Sequence, residues 1–196
     1  GIGLNVGSIR SVGSKVRSGE VVHTGIVPFL KMFESTLHSC SQGGLRKGSA
    51  SVYFPWWHSE VESILILKNN KGTDDNRVRH MDYGIQFEKV FYNRFLSNSS
   101  ISLFSTSDVP GLYDAFGKPE FEEMYIKYEL NKKIPRKVIK ARDLMNSFAQ
   151  ERIGTGRMYV MNIDSANTNT PFLDKISMSN LCAEIVLPTS PIKGIY

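Results

Sequence analysis

Apolar side chains recur along this chain at two spacings, one helical and one extended, and the two alternate. Leu30, Phe33 and Leu37 fall at helical spacing, which predicts a helix capped by Thr24 and running to about Ser39, with Pro28 in its first turns. Residues 49–54 alternate small and apolar side chains and predict a strand. Helical spacing returns over 58–68, where Val61, Ile64, Leu65 and Leu67 would face a core. A strand is expected over 82–87, a helix over 88–96, and a short strand over 101–105 that ends in a turn at 107–111. Two charged helices are expected over 120–132 and 135–153, with Gly154-Thr155-Gly156 stopping the second. Strands are expected over 157–163 and 181–187, with an Asn/Thr-rich loop over 164–174. Glycine-bearing polar connections fill 1–20, 40–48 and 69–76. Strands alternating with helices predict an α/β architecture, and no repeat or domain boundary divides residues 1–196.

At 196 residues, 41% hydrophobic and 22% charged, the chain suits one globular domain with a sizeable core. No apolar run approaches the roughly 18 to 20 residues that span a bilayer, so no membrane partner is expected. The N-terminus lacks the apolar stretch of a secretory leader. A net charge of +5 is spread over helices and loops rather than gathered into a stripe, which favours anionic small molecules over nucleic acid. Two distant cysteines, Cys40 and Cys182, make a disulfide scaffold unexpected and a reducing, cytoplasmic setting the default. Gly1-Ile2-Gly3 at one end and Ile195-Tyr196 at the other lack polar fraying, and the expectation is a piece of something larger.

The chemistry concentrates in Asn180-Leu181-Cys182-Ala183-Glu184. In an extended segment the amide, thiol and carboxylate at alternate positions would share a face, with Leu181 and Ala183 turned into packing and residues 185–187 as an apolar anchor. That face would combine a hydrogen-bonding amide, an oxidisable sulfur and a general base. The plainer reading is a half-buried strand ending at Pro188. Near the N-terminus, Gly1, Gly3, Gly7, Gly13 and Gly19 alternate with Arg10, Lys15 and Arg17, as a phosphate-binding loop or as a flexible connection. Gly43-Gly44, flanked by Gln42, Arg46 and Lys47, can bend around a nucleotide or make an ordinary helix-to-strand turn. His23, His38, His58 and His80 stand at no metal-ligand spacing, so no metal site is expected. A Cys-His hydrolase would leave Asn180, Glu184 and the glycine loops unused. Neither a P-loop nor a dinucleotide fingerprint is present, and His80-Met81-Asp82 reads as structural.

Gly1-Ile2-Gly3-Leu4-Asn5, His23-Thr24-Gly25, Ser39 to Gly44, Trp57 to Glu62, Arg77 to Gly84, Ser107 to Pro110, Glu151-Arg152 and Asn180 to Glu184 occur in an order that resembles the large (α) subunit of aerobic class I ribonucleoside-diphosphate reductases, bacterial and phage branch. The resemblance covers nearly the whole chain. It implies part of a ten-stranded α/β barrel, roughly its first half with the central finger loop. It also implies thiyl-radical reduction of a ribonucleoside diphosphate, with Cys182 taking the 3′-hydrogen, Glu184 removing the 3′-hydroxyl proton and Asn180 holding the ribose hydroxyls. Gly1 matches a backbone contact to substrate, and Leu181 and Ala183 are expected to bind substrate as well; Arg10 and Arg17 match the phosphate ligands of a dNTP or ATP effector; Gln42 and Arg46 match messengers between effector and substrate. Implied partners are the rest of the large subunit, a metal-containing small subunit that supplies the radical, thioredoxin or glutaredoxin as reductant, and a second large subunit. The chain itself would bind no resident cofactor, and the setting would be cytoplasm, of the host if phage-encoded.

Several family features have no counterpart here. Cys40 matches neither cysteine of the family's electron-supplying pair, and the paired radical-transfer tyrosines, the C-terminal shuttle tail, the N-terminal ATP cone and the main substrate-phosphate loop have no match. Residues 192–196 also leave the family pattern. Turnover therefore requires other segments, and the alternative reading is a non-catalytic nucleotide-binding module that completes a partner chain.

Overall fold

A computed structural model describes residues 1–189; the departure from the family pattern at 192–196 lies outside the described residues. In chain order the elements are β1 (Ile2–Asn5), β2 (Lys15–Val16), β3 (Val21–Val22), α1 (Val27–Ser39), β4 (Ser41–Gln42), β5 (Arg46–Lys47), β6 (Ala50–Pro55), α2 (Val61–Leu65) and β7 (Asp82–Phe87). They continue with α3 (Lys89–Leu96), β8 (Ser100–Leu103), α4 (Leu112–Ala115), α5 (Phe121–Leu130), β9 (Lys137–Lys140), α6 (Ala141–Thr155), β10 (Met158–Asn162) and α7 (Ile163–Thr168).

The core is a four-stranded parallel sheet in the order β1-β6-β7-β10. Spatial order follows chain order, with helical crossovers between strands, which is the winding of an α/β barrel arc. Ile2 pairs with Ala50, Val52 with Tyr83, and Ile85 with Val160, so every strand's alternation can be followed across the sheet. Leu4, Val52, Phe54, Ile85, Phe87 and Met158 point to the helical side, where Phe87 stacks on Phe91 at 4.3 Å and Trp56 meets Phe91 and Tyr125. Gly3, Asn5, Ser51, Tyr53, Gly84, Gln86, Tyr159 and Met161 point the other way. That second face is polar, yet β6 and β7 are buried along their whole length, with an irregular segment, residues 177–181, lying over it.

Five expectations from the sequence give way here. β1 forms inside the glycine-rich N-terminus, because its backbone groups pair with the edge of β6. Thr24 does not cap α1, which starts after Ile26 with no side-chain cap of its own. The second charged helix begins only at Ala141, because β9 pairs antiparallel with β8, Ile139 opposite Ile101. The helix expected over 58–68 shrinks to Val61–Leu65, since the His58 ring is engaged by the Ile9 carbonyl and the Glu60 amide. Part of the loop expected at 164–174 is α7, where Asn167 bonds the Ile163 carbonyl and both backbone groups of Ile176.

Candidate active site

The strand expected over 181–187 does not form. Residues 181–183 make a turn with Ala183 at φ 62°, closed by the Ala183 amide donating to the Asn180 carbonyl at 3.3 Å. The Asn180 side chain supports it: Oδ1 accepts from the amides of Glu184 at 3.1 Å and Ile185 at 3.0 Å. Asn180, Cys182 and Glu184 are therefore grouped by a turn rather than by strand alternation, and the alternate-face geometry is replaced. With Oδ1 used in the turn, Asn180 offers a ligand its Nδ2 hydrogens. Cys182 and Glu184 are exposed, Leu181 and Ala183 half-buried. Ile185, Val186 and Leu187 are also exposed, so the apolar anchor expected there finds no core among the described residues.

What holds this finger is the polar face of the sheet. Gln86 donates from Nε2 to the Ser177 carbonyl at 2.8 Å, and Asn5 Nδ2 donates to the same oxygen. Asn5 is oriented by the Tyr113 hydroxyl, which donates to its Oδ1 at 2.8 Å, and Lys175 sits 4.9 Å over the Tyr113 ring. Higher on the face, the Tyr53 hydroxyl donates to the Asn180 carbonyl at 2.8 Å and Ser51 to the Leu181 carbonyl. Gly3 permits this approach, because a Cβ there would lie 1.8 Å from the Ser179 carbonyl oxygen. Gly84 makes room for Tyr53, whose ring would sit 2.7 Å from a Cβ at that position. Gly1 packs against the Leu181 side chain.

The electrostatics of this face are set by burial beside acidic groups. Tyr53 is pushed up to about 12, by burial first and then by Tyr159, Glu184 and Cys182, partly offset by the Ser179 hydroxyl. Tyr159 is raised by burial, Asp82 and Cys182, with Arg157 opposing. Both phenols therefore remain protonated donors beside the Cys182–Glu184 turn. Ser51, Tyr53, Gln86 and Asn5 were not singled out from the sequence as site residues; polar side chains of one parity inside strands are the signal that points to them.

The two glycine loops lie apart from the finger's hydrogen bonds. Arg10 donates to the Lys15 carbonyl at 2.9 Å and lines a cavity of about 820 Å³ with Lys15, Arg136, Lys137, Ser11 and Ser14. Arg17 stands instead in the β2–β3 turn at φ 49°, outside that lining. Gln42 and Arg46 are paired in the register of the β4–β5 hairpin, whose turn Gly43-Gly44 takes φ of 61° and 74°. Such values favour glycine, so the hairpin needs both. Among the described residues no group of three or more His, Cys, Asp or Glu could hold a metal, and no helix is long and apolar enough to cross a membrane.

Residues 1–194 match the family described as ribonucleotide reductase, barrel domain. The chain is 51% identical over its whole length to the ribonucleoside-diphosphate reductase subunit alpha of Haemophilus influenzae and 52% identical over 98% of its length to the ribonucleoside-diphosphate reductase 1 subunit alpha of Escherichia coli. It is 49% identical over 99% of its length to the corresponding alpha subunit of Enterobacteria phage T4. In each case it spans 26% of the relative's length.

Proposed function

Because the chain belongs to the ribonucleotide reductase barrel-domain family, we propose that it carries the radical site of a class I ribonucleoside-diphosphate reductase large subunit. The observation that carries this reading is the finger turn, which presents Cys182 with Asn180 and Glu184 above a polar sheet face. A metal-containing small subunit would supply the oxidising equivalent that converts the Cys182 thiol to a thiyl radical. Cys182 then takes the 3′-hydrogen atom of the ribose: an S–H bond forms, the C3′–H bond breaks, and the unpaired electron passes to carbon. The Glu184 carboxylate accepts the 3′-hydroxyl proton, and Asn180 donates from Nδ2 to a ribose hydroxyl. The backbone at Gly1, Leu181 and Ala183 borders the same space. Thioredoxin or glutaredoxin would restore the reducing equivalents through segments beyond this chain.

Effector control is assigned to the two glycine loops. Arg10, with the cations and hydroxyls of its cavity, suits the phosphates of a dNTP or ATP, while Arg17 would reach them from the neighbouring turn. Gln42 and Arg46, on a hairpin hinged at two glycines, would report effector identity to the substrate. The assembly pairs two large subunits in the cytoplasm. A second reading, in which the chain completes a partner without contributing chemistry, keeps only the Arg10 cavity as a nucleotide site.

Cys182→Ser in a complete large subunit separates the two. Nucleotide reduction is expected to vanish while substrate binding stays near normal, because an alcohol O–H is too strong to be converted to the radical that would take the 3′-hydrogen. Retention of more than about a few per cent of the rate would overturn the radical assignment.

A further inference from the structure

Cys182 is exposed at a turn, yet the two peptide planes preceding it are fixed from below. The Tyr53 hydroxyl donates to the Asn180 carbonyl at 2.8 Å, and Ser51 donates to the next carbonyl along, that of Leu181. The donors are two residues apart on β6, so they project from one face of one strand. The Leu181 carbonyl belongs to the peptide unit that ends in the Cys182 nitrogen, and the Asn180 carbonyl also closes the turn by accepting from Ala183. Orienting those two planes sets where the Cys182 Cα–Cβ bond points.

Packing alone does not require the Tyr53 hydroxyl. The ring is fully buried, and a phenylalanine would fill the same space above Gly84. A buried hydroxyl is costly without a partner, and the partner here is the finger's backbone.

We propose that Tyr53, with Ser51 beside it, is a positioning residue for the Cys182 thiol: the pair sets the direction of the sulfur by gripping two successive carbonyls, without touching substrate. This rests on Cys182 being the reacting thiol. Burial keeps Tyr53 protonated up to about 12, so the donor persists throughout the working pH range.

The test uses the complete large subunit with its small subunit and reductant. Tyr53→Phe is expected to lower kcat about tenfold with KM for the ribonucleoside diphosphate unchanged, since only the reacting geometry is lost. Ser51→Ala, the smaller change, should do the same to a lesser degree. The second readout needs no turnover: alkylation of resting Cys182 by iodoacetamide, with Cys40 in the same chain as reference. The Cys182/Cys40 rate ratio should rise several-fold in Tyr53→Phe as the turn loosens. An unchanged kcat, a loss residing in KM, or an unchanged alkylation ratio would each overturn the clamp. Failure of the underlying reading is distinguishable, because it appears as turnover surviving Cys182→Ser, whereas the alkylation ratio reports on the clamp whatever the thiol does.

Discussion

Glu88 follows β7 directly and is almost wholly buried, with its Oε1 lacking a hydrogen-bond partner. The α3 terminus that it precedes is served instead by Asp164, whose Oδ2 accepts from the Lys89 amide at 2.9 Å. Burial, and then the Asp164 carboxylate, push Glu88 from 4.5 to about 8. The unfolded chain loses this proton near 4.5, while the folded chain keeps it to about 8. Stability from this group is therefore intact below the lower value and falls steadily as pH rises to the upper one. Across that window the loss is on the order of 5 kcal/mol. Glu88→Gln is expected to flatten the decline in melting temperature between about pH 6.5, where His58 no longer offsets it, and about pH 8. A variant that declines as steeply as the parent would show that another group carries the effect. His58 tilts the acid side the opposite way: burial holds it down to about 4, so stability is lost as pH falls from 6.5 towards that value.

At the scale of elements, the N-terminal loop and α1 depend on a residue distant in sequence. α1 has no side-chain cap of its own, but the Glu60 carboxylate accepts from the Ile26 amide at 3.1 Å and from the Val12 amide at 3.0 Å. One buried carboxylate thus fastens both the segment that holds Arg10 and the start of the helix that leads to the β4–β5 hairpin. His58 adds a third fastening by donating from Nε2 to the Ile9 carbonyl at 2.9 Å. Glu60→Ala strands two donors and is expected to cost about 2 to 4 kcal/mol, whereas Glu60→Gln keeps an acceptor and should cost less than half as much. Denaturant titration gives the size, and hydrogen exchange at Val12 and Ile26 gives the place. Equal costs for the two variants would mean that charge, rather than acceptance, matters at this position.

For the whole molecule, the parallel sheet ends in β1 on one side and β10 on the other, with no further strand paired to either among the described residues. Ile185, Val186 and Leu187 on the finger, with Phe172 and Leu173 before it, present apolar surface. Open parallel edges and exposed apolar side chains favour association. Expressed by itself, the 196-residue chain is expected to self-associate and to show no nucleotide reduction with a small dithiol. Light scattering on a size-exclusion column is the check, and a monodisperse monomer that melts cooperatively would contradict it.

The sequence by itself determined the α/β alternation, since 82–87, 88–96 and the centre of 157–163 carry patterns that burial then satisfied. It also singled out Asn180, Cys182 and Glu184, because an amide, a thiol and a carboxylate crowded into five residues are chemically conspicuous. Their arrangement was not legible. Alternation predicted a strand at 181–187, but a strand needs a neighbour with free backbone groups, and the finger crosses the sheet face instead of joining its edge. Once backbone pairing is unavailable, the Asn180 oxygen and the donors from Ser51, Tyr53, Asn5 and Gln86 satisfy those carbonyls and amides, and a turn results. The same reason accounts for β1, β9 and the Glu60 cap, where the partner lies tens of residues away. Local periodicity reports which side chains want burial; which backbone groups find partners is decided only when distant segments meet.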